Sequence, residues 1–378
     1  MPARNEGHLD GRQRRFGDIA DMRLEELGWN RIFEDAFAPY RAGGFEPLRV
    51  VREDRGQYQT VGESREGPAA ITGKLRNEAR SRQDFPGVGD WVAARWTEDG
   101  GLAVIHAVLP RRSVFLRKAA GDTAEEQLVA ANVDVVLLVS GLDSDFNPRR
   151  IERYLTLAWD SGAKPVVVLN KADLCDDIEG RLREAESVAC RADIVVLSAA
   201  NASGLDPVRA YCTPGKTVAL LGSSGVGKST LINALLGAEL QATGSVREDD
   251  GRGRHTTTRR ELIVMPGGGI LIDTPGMREL QMWGDESGLD KPFEDIATLA
   301  ASCKFHDCRH VNEPGCAVRA AIESGELDPA RLKSYEKILR ELKYIERKSD
   351  QRLQSEEKAK WKAIHKSQKQ LYKTREGR

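Results

Sequence analysis

The sequence predicts a multidomain α/β protein. It has a small N-terminal β-barrel, a central parallel-sheet domain around a phosphate-binding loop, and a C-terminal helical module carrying a metal-ligand cluster. Three observations carry this. Gly222-Ser223-Ser224-Gly225-Val226-Gly227-Lys228-Ser229-Thr230 fits G-x-x-x-x-G-K-[ST] between an apolar strand and a helical run. Residues 46–112 hold five short strand-like runs separated by turn signals. Cys303, Cys308, His310 and Cys316 fall close together.

Composition sets the bounds. A chain of 378 residues predicts two or three domains. Its 40% hydrophobic content is enough for real cores, and 30% charge fits a soluble protein. No run reaches the length of a membrane span. Met1-Pro2-Ala3-Arg4-Asn5 lacks the apolar core of a signal peptide, so a cytoplasmic location is expected. Cys175, Cys190 and Cys212 stand apart, whereas the other three cysteines cluster, which in a cytosolic protein points to metal rather than disulfides. The net charge is −1, yet Ala330 to Arg378 holds sixteen Lys and Arg against seven Asp and Glu. A basic tail on an otherwise acidic chain suits a polyanion, nucleic acid first, or is simply a solvated charged helix.

In chain order, residues 1–45 form an extension, polar at first, with a short amphipathic helix expected over Ile19 to Leu27. Residues 46–112 alternate apolar and polar positions in Leu48–Val51 and Tyr58–Val61. Ala69–Thr72, Trp91–Trp96 and Leu102–Leu109 follow. Five such strands suit an OB-fold, a barrel that commonly binds oligonucleotides. The stretch Lys74 to Arg82 reads as an exposed basic loop of that barrel. Residues 113–280 alternate buried strands (133–140, 165–169, 194–197, 217–221) with helices, which implies a parallel sheet covered on both faces. Residues 261–264 and 269–273 complete it. Residues 281–330 read as irregular around the cysteines, and 331–378 as a basic helical tail with almost no Gly or Pro.

The phosphate loop alone specifies a nucleoside triphosphate. Its glycines let backbone N–H groups close on phosphate oxygens, Lys228 would bridge the β- and γ-phosphates, and Ser229 would ligate Mg2+. Asn170-Lys171-Ala172-Asp173 supplies the base. It follows a buried strand, and a carboxylate at Asp173 pairs with the two N–H donors of guanine, which adenine lacks. Ser198-Ala199-Ala200, again after a strand, would offer backbone N–H groups to the guanine O6. Asp273-Thr274-Pro275-Gly276 would hold Mg2+ through Asp273 and touch the γ-phosphate through Gly276. Between these lies the mobile basic segment Gly251 to Thr258, whose threonines, Thr257 and Thr258 among them, suit a nucleotide switch. Met277 follows the Asp-x-x-Gly and cannot orient water, so hydrolysis should be slow or use another group. His255 is the nearest candidate, with a surface histidine as the plainer reading. The base-reading segments precede the phosphate loop, so the order is that of a circularly permuted P-loop GTPase. Cys303, Cys308, His310 and Cys316 form a closed Cys3His set suited to one structural Zn2+, with His306 as a competing ligand.

Together these residues resemble one family, the ribosome small-subunit-dependent GTPase A proteins. The resemblance rests on the permuted order, Asn170 to Asp173, Gly222 to Thr230, His255 to Thr258, Asp273 to Gly276 and the Cys3His set. It covers nearly the whole chain past about residue 45. It implies an OB barrel, a permuted GTPase and a zinc domain. It also implies hydrolysis of GTP to GDP, stimulated by the small (30S) ribosomal subunit with its 16S rRNA during late maturation. A histidine placed like His255 is thought to act in hydrolysis. A monomer is expected. Two readings from other classes compete: an RNA-binding switch with little turnover, and a metal-handling GTPase.

Overall fold

The structure is a computed structural model that describes residues 22–54, 56–118, 126–189, 191–237, 260–273, 293–329 and 331–340. The chain divides into two compact units, Met1–Lys118 with Glu126–Gln281, and Ala119–Glu125 with Met282–Arg378.

The described part of the first unit opens with a turn over residues 24–28 where the end of the helix expected over Ile19 to Leu27 would fall; Ile19 to Asp21 lie outside the described residues. Gly28 adopts φ +92°, and the Trp29 N–H folds back onto the Leu24 carbonyl at 2.9 Å, which closes the run after one turn. The helix comes later, as α1 (Arg31–Arg41). The Asn30 side chain caps it by accepting from the Ile32 N–H, and Phe33 and Phe37 are buried on one face.

Five strands then make the barrel: β1 (Glu46–Asp54), β2 (Gln57–Val61), β3 (Glu66–Ile71), β4 (Trp91–Trp96) and β5 (Ala103–Val108). The pairing runs β1-β2-β3-β5-β4 and back to β1, with β3 and β5 parallel and every other pair antiparallel. That is the OB-type ring, with Leu48, Val50, Val92 and Ile105 in its core. The expected basic loop at Lys74 to Arg82 is instead largely helical: α2 (Gly73–Glu78), then a 3-10 turn at Arg82–Asp84. Thr72 decides this, since its hydroxyl accepts from the Leu75 N–H and nucleates the turn.

A hairpin that the sequence did not suggest, β6 (Val114–Lys118) with β7 (Glu126–Ala131), leads into the second layer. Then follow β8 (Val135–Gly141), α3 (Pro148–Asp160), β9 (Lys164–Asn170), α4 (Ile178–Ala189), β10 (Asp193–Val196) and the short α5 (Asp206–Arg209). β11 (Thr217–Leu221), α6 (Lys228–Leu236), β12 (Arg260–Val264) and β13 (Ile270–Asp273) complete the unit. Strands β10-β9-β8-β11-β13 are parallel, and their Val and Leu runs are buried on both faces.

The barrel and the parallel sheet are not separate sheets. β12 pairs antiparallel with β13 on one side and with β1 on the other, so eleven strands form one continuous ladder. Arg49 of β1 reinforces the joint. It is 1% exposed, donates from Nη2 to Thr217 Oγ1 on β11 at 2.8 Å and from Nη1 to the Leu27 carbonyl, and lies over the Trp91 ring. Burial pulls its pKa down to about 10, with Asp134 and Asp90 opposing the shift.

The second unit contains α7 (Glu294–Ala301), the Cys/His loop, α8 (Ala317–Ser324) and helical residues 331–340. Residues 281–330 are therefore not simply irregular. Phe293 is fully buried against Tyr335, and Arg331 reaches Asp295 at 2.9 Å. Among the described residues no helix is long and apolar enough to cross a membrane.

Candidate functional site

Parallel strands bring their carboxyl ends to one edge, and there the sheet assembles the site. The loop after β11 is the phosphate loop. Gly222 is required at its start, because a Cβ there would stand 2.4 Å from the Val139 carbonyl oxygen of β8. Gly227 caps α6 at φ +93°, and a Cβ on it would meet the Asn170 side-chain amide at 2.4 Å. Between them Gly225 is also left-handed, at φ +81°. Lys228 is only 9% exposed and its Nζ donates to the Gly222 and Ser223 carbonyls at 2.6 and 2.5 Å. Its charge is thereby held inside the loop where phosphates would replace those carbonyls. Ser224, Val226, Ser229 and Thr230 complete the segment, with Val226 buried and Ser229 and Thr230 in the first turn of α6.

The base-reading loops follow β9 and β10. Asn170, 2% exposed, holds three strand ends together. Its Nδ2 donates to the Val226 carbonyl of the phosphate loop at 2.8 Å, and its Oδ1 accepts from the Ala199 N–H at 2.9 Å. Lys171 takes the left-handed conformation at φ +63° and starts the 3-10 turn Ala172–Leu174 that carries Asp173. The Ser198 hydroxyl donates to Asp173 Oδ1 and accepts from the Asn201 N–H. The backbone N–H groups of Ser198 and Ala199, expected to face a base oxygen, are engaged inside the protein, on the Ser203 carbonyl and on Asn170. A base oxygen there would compete with Asn170 Oδ1.

A further loop joins this edge, that between β8 and α3, which no motif marks in the sequence. Asp143 Oδ2 lies 2.5 Å from Lys171 Nζ. Arg150 Nη1 lies 2.5 Å from Asp145 Oδ2 and 2.8 Å from Ser223 Oγ, and the Ser223 hydroxyl also donates to Asp145 at 2.8 Å. Asp145 is held below the usual carboxylate range, chiefly by its bond from Arg150. The signal was available: these residues follow a buried strand parallel to the other three.

Of the remaining candidates, Asp273 ends β13, the parallel neighbour of β11, and its side chain lies outside the described residues. His255, Thr257, Thr258 and Gly276 lie outside them altogether.

In the second unit Cys303, Cys308, His310 and Cys316 offer one donor atom each, all within 4.8 Å of one another. The Sγ atoms of Cys303 and Cys316 are 3.9 Å apart, and His310 Nδ1 is 3.7 and 3.4 Å from them. Tetrahedral zinc with ordinary Zn–S and Zn–N bonds needs edges of about 3.8 and 3.5 Å, so Cys303, His310 and Cys316 already stand at spacings that suit that ion, with the Cys308 thiol close by. His306 is not in the group. Glu313 turns the loop under His310 by accepting from the Arg309, Val311 and Asn312 N–H groups. These and its own N–H pull its pKa down to about 2. Cys316 caps α8, accepting from the Arg319 N–H.

A parallel sheet with a phosphate loop after an inner strand, β11 between β8 and β13, and base loops that precede that strand in the chain, defines a circularly permuted P-loop GTPase. Comparison with known proteins agrees. The RsgA GTPase family model matches residues 108–283. Small ribosomal subunit biogenesis GTPase RsgA of Opitutus terrae is 50% identical over 357 residues, covering 92% of this chain and 97% of that protein. RsgA 1 of Oceanobacillus iheyensis is 48% identical over 324 residues, covering 85% and 92%. The crystal structure of YjeQ from Thermotoga maritima superposes with a TM-score of 0.61 at 29% identity, covering 79% of this chain and 98% of that one. That of YloQ, titled a circularly permuted GTPase, gives 0.58 at 24% and shows the fold. The chain belongs to the RsgA family of GTPases.

Proposed function

We propose that this GTP hydrolase acts in biogenesis of the small (30S) ribosomal subunit, binding the particle and its 16S rRNA and hydrolysing GTP to GDP late in maturation. The observation that supports it best is Asn170, whose two bonds set the Asp173 loop against the phosphate loop, so that one nucleotide can meet both despite the permuted order. Asp173 would read guanine, with Asn170, Lys171, Ala172, Ser198 and Ala199 shaping the base site. Gly222 to Thr230 would hold the phosphates. Ser229 and Asp273 would hold Mg2+, which neutralises charge on the β- and γ-phosphates when bound with GTP. Thr257, Thr258 and Gly276 would sense the γ-phosphate, and His255 would act in hydrolysis.

Domain limits at 46–112 for the barrel, 113–280 for the GTPase, 281–330 for the metal module and 331–378 for a basic tail suit this reading, with 1–45 as an extension. The barrel and tail would contact RNA. Cys303, Cys308, His310 and Cys316 would hold one structural Zn2+; four protein donors leave no open position, which disfavours a metal-handling role. The protein would work as a cytoplasmic monomer. Slow hydrolysis of GTP, stimulated by small ribosomal subunits and abolished by Lys228→Ala, tests the proposal. No stimulation by any subunit preparation refutes it.

A further inference from the structure

The loop between β8 and α3 makes ionic contacts with both halves of the nucleotide site. On the base side, Asp143 holds Lys171 Nζ. On the phosphate side, Asp145, Arg150 and the Ser223 hydroxyl close a three-membered ring of hydrogen bonds. The loop is itself stiff. The Asp145 N–H bonds Asp143 Oδ1 at 3.1 Å, the Leu142 N–H bonds the Asn170 carbonyl at 2.8 Å, and the Asn147 side chain caps α3 on the Arg150 N–H. So Asp143 and Asp145 share one hydrogen-bonded turn. Asp143 and Lys171 are both about three-quarters covered, at 24% and 26% side-chain exposure, at the rim of the site and not in the core.

Resting on the nucleotide site proposed above, we infer that residues Asp143 to Arg150 form a positioning element that couples the base and phosphate subsites. Asp143 sets Lys171 for the base, and Arg150 with Asp145 sets Ser223 and thereby the phosphate loop. None of the three need touch the nucleotide. The phosphate-side triangle is made before any phosphate arrives, so its removal should cost affinity for GDP and GTP alike, raising KM more than it lowers kcat. The base-side pair should matter only to ligands that carry a base. Because one short loop carries both, damage at one end should blunt the effect of damage at the other.

Equilibrium binding of GDP and of inorganic pyrophosphate with Mg2+, measured on the full-length protein, tests this. Arg150→Gln is expected to weaken both ligands by about tenfold, the worth of one partly exposed charged hydrogen-bond network. Asp143→Asn is expected to weaken GDP by a similar factor and leave pyrophosphate within about twofold. The double variant should lose clearly less GDP affinity than the product of the two single losses. Ser223→Ala and Arg150→Lys carry the same comparison if Arg150→Gln proves unstable, with lysine restoring part of the affinity. Wild-type GDP binding that is lost in Lys228→Ala establishes the site. If that control holds while the loop variants bind GDP as the wild type does, or if both ends affect pyrophosphate equally, the coupling element is refuted. If the wild type binds no GDP, the nucleotide site itself is refuted.

Discussion

Asn170→Ala removes one small side chain and orphans two buried backbone groups. The Val226 carbonyl loses the Nδ2 donor at 2.8 Å, and the Ala199 N–H loses the Oδ1 acceptor at 2.9 Å. The site is 2% exposed, so water does not replace them without opening the loops. An unsatisfied buried group costs about 1–3 kcal/mol, so the two together cost about 2–6 kcal/mol. Domain stabilities of about 5–15 kcal/mol make that a large fraction. Asn170→Asp should be no milder. It keeps an acceptor for the Ala199 N–H but sets a second carboxylate oxygen against the Val226 carbonyl, with nothing to donate between them. Gly227→Ala should act on the same contact from the other side, since its Cβ would press on the Asn170 amide and its φ is +93°. With Asn170→Ala in place that clash is relieved, so the double variant should be less unstable than the two losses summed. Urea unfolding of the full-length protein, read beside GDP binding, measures all of this. An Asn170→Ala stability within about 0.5 kcal/mol of wild type with unchanged GDP affinity would sink the reasoning, because that is the scatter of an unremarkable surface substitution.

Arg49→Ala leaves Thr217 Oγ1 and the Leu27 carbonyl without their donor at the joint of barrel and sheet, and should lower stability by about 3 kcal/mol in urea unfolding; Arg49→Lys should not restore it, since an ammonium lacks the fork that reaches both. Removing metal with a strong chelator should release one zinc per chain, counted by a colorimetric indicator, and lower far-ultraviolet helix signal. Cys308→Ser should retain less than one equivalent. Glu313, with its pKa depressed to about 2, favours the folded loop wherever it is ionised. That contribution is complete above the ordinary glutamate value, fades as pH falls through about 4 and is gone below 2. Carbon-detected NMR titration should therefore place its midpoint near 2, and Glu313→Gln should abolish that part of the acid sensitivity.

Much of the site was legible in the sequence because its chemistry is local. The phosphate loop, Asn170 to Asp173 and Ser198-Ala199 each follow a Val- or Leu-rich run, and a buried parallel strand delivers its next loop to a known edge. The barrel strands were legible because period-two alternation was punctuated by Gly, Pro and Asp turns. What failed was long-range or decided by one atom. The β1–β12 pairing joins residues such as Arg52 and Glu261 that no local pattern relates. Arg49 reads as a solvated strand residue until Thr217, far along the chain, becomes its partner. The basic stretch after Thr72 became helix through a single hydroxyl cap, and the last part of the helix expected up to Leu27 gave way to a turn that the Trp29 N–H closes on the Leu24 carbonyl. Asp143, Asp145 and Arg150 belong to no compact motif; only the shared sheet edge reveals them. His310 was already in the Cys3His set read from the sequence; the donor distances add that His306, its competitor there, lies outside the group.

The central claim is that one guanine nucleotide, held between Asp173 and Lys228, is hydrolysed in response to the small ribosomal subunit. Steady-state phosphate release from GTP, with and without purified small subunits, tests it most directly. The expected result is slow turnover by the protein alone and at least about tenfold acceleration by subunits, a low threshold beside the roughly 10³–10⁵-fold of arginine-finger activation. Lys228→Ala should remove both rates, and Asp173→Asn should shift preference from guanine towards xanthine nucleotides. Turnover of ATP equal to that of GTP, or a rate indifferent to subunits at every concentration, would contradict it.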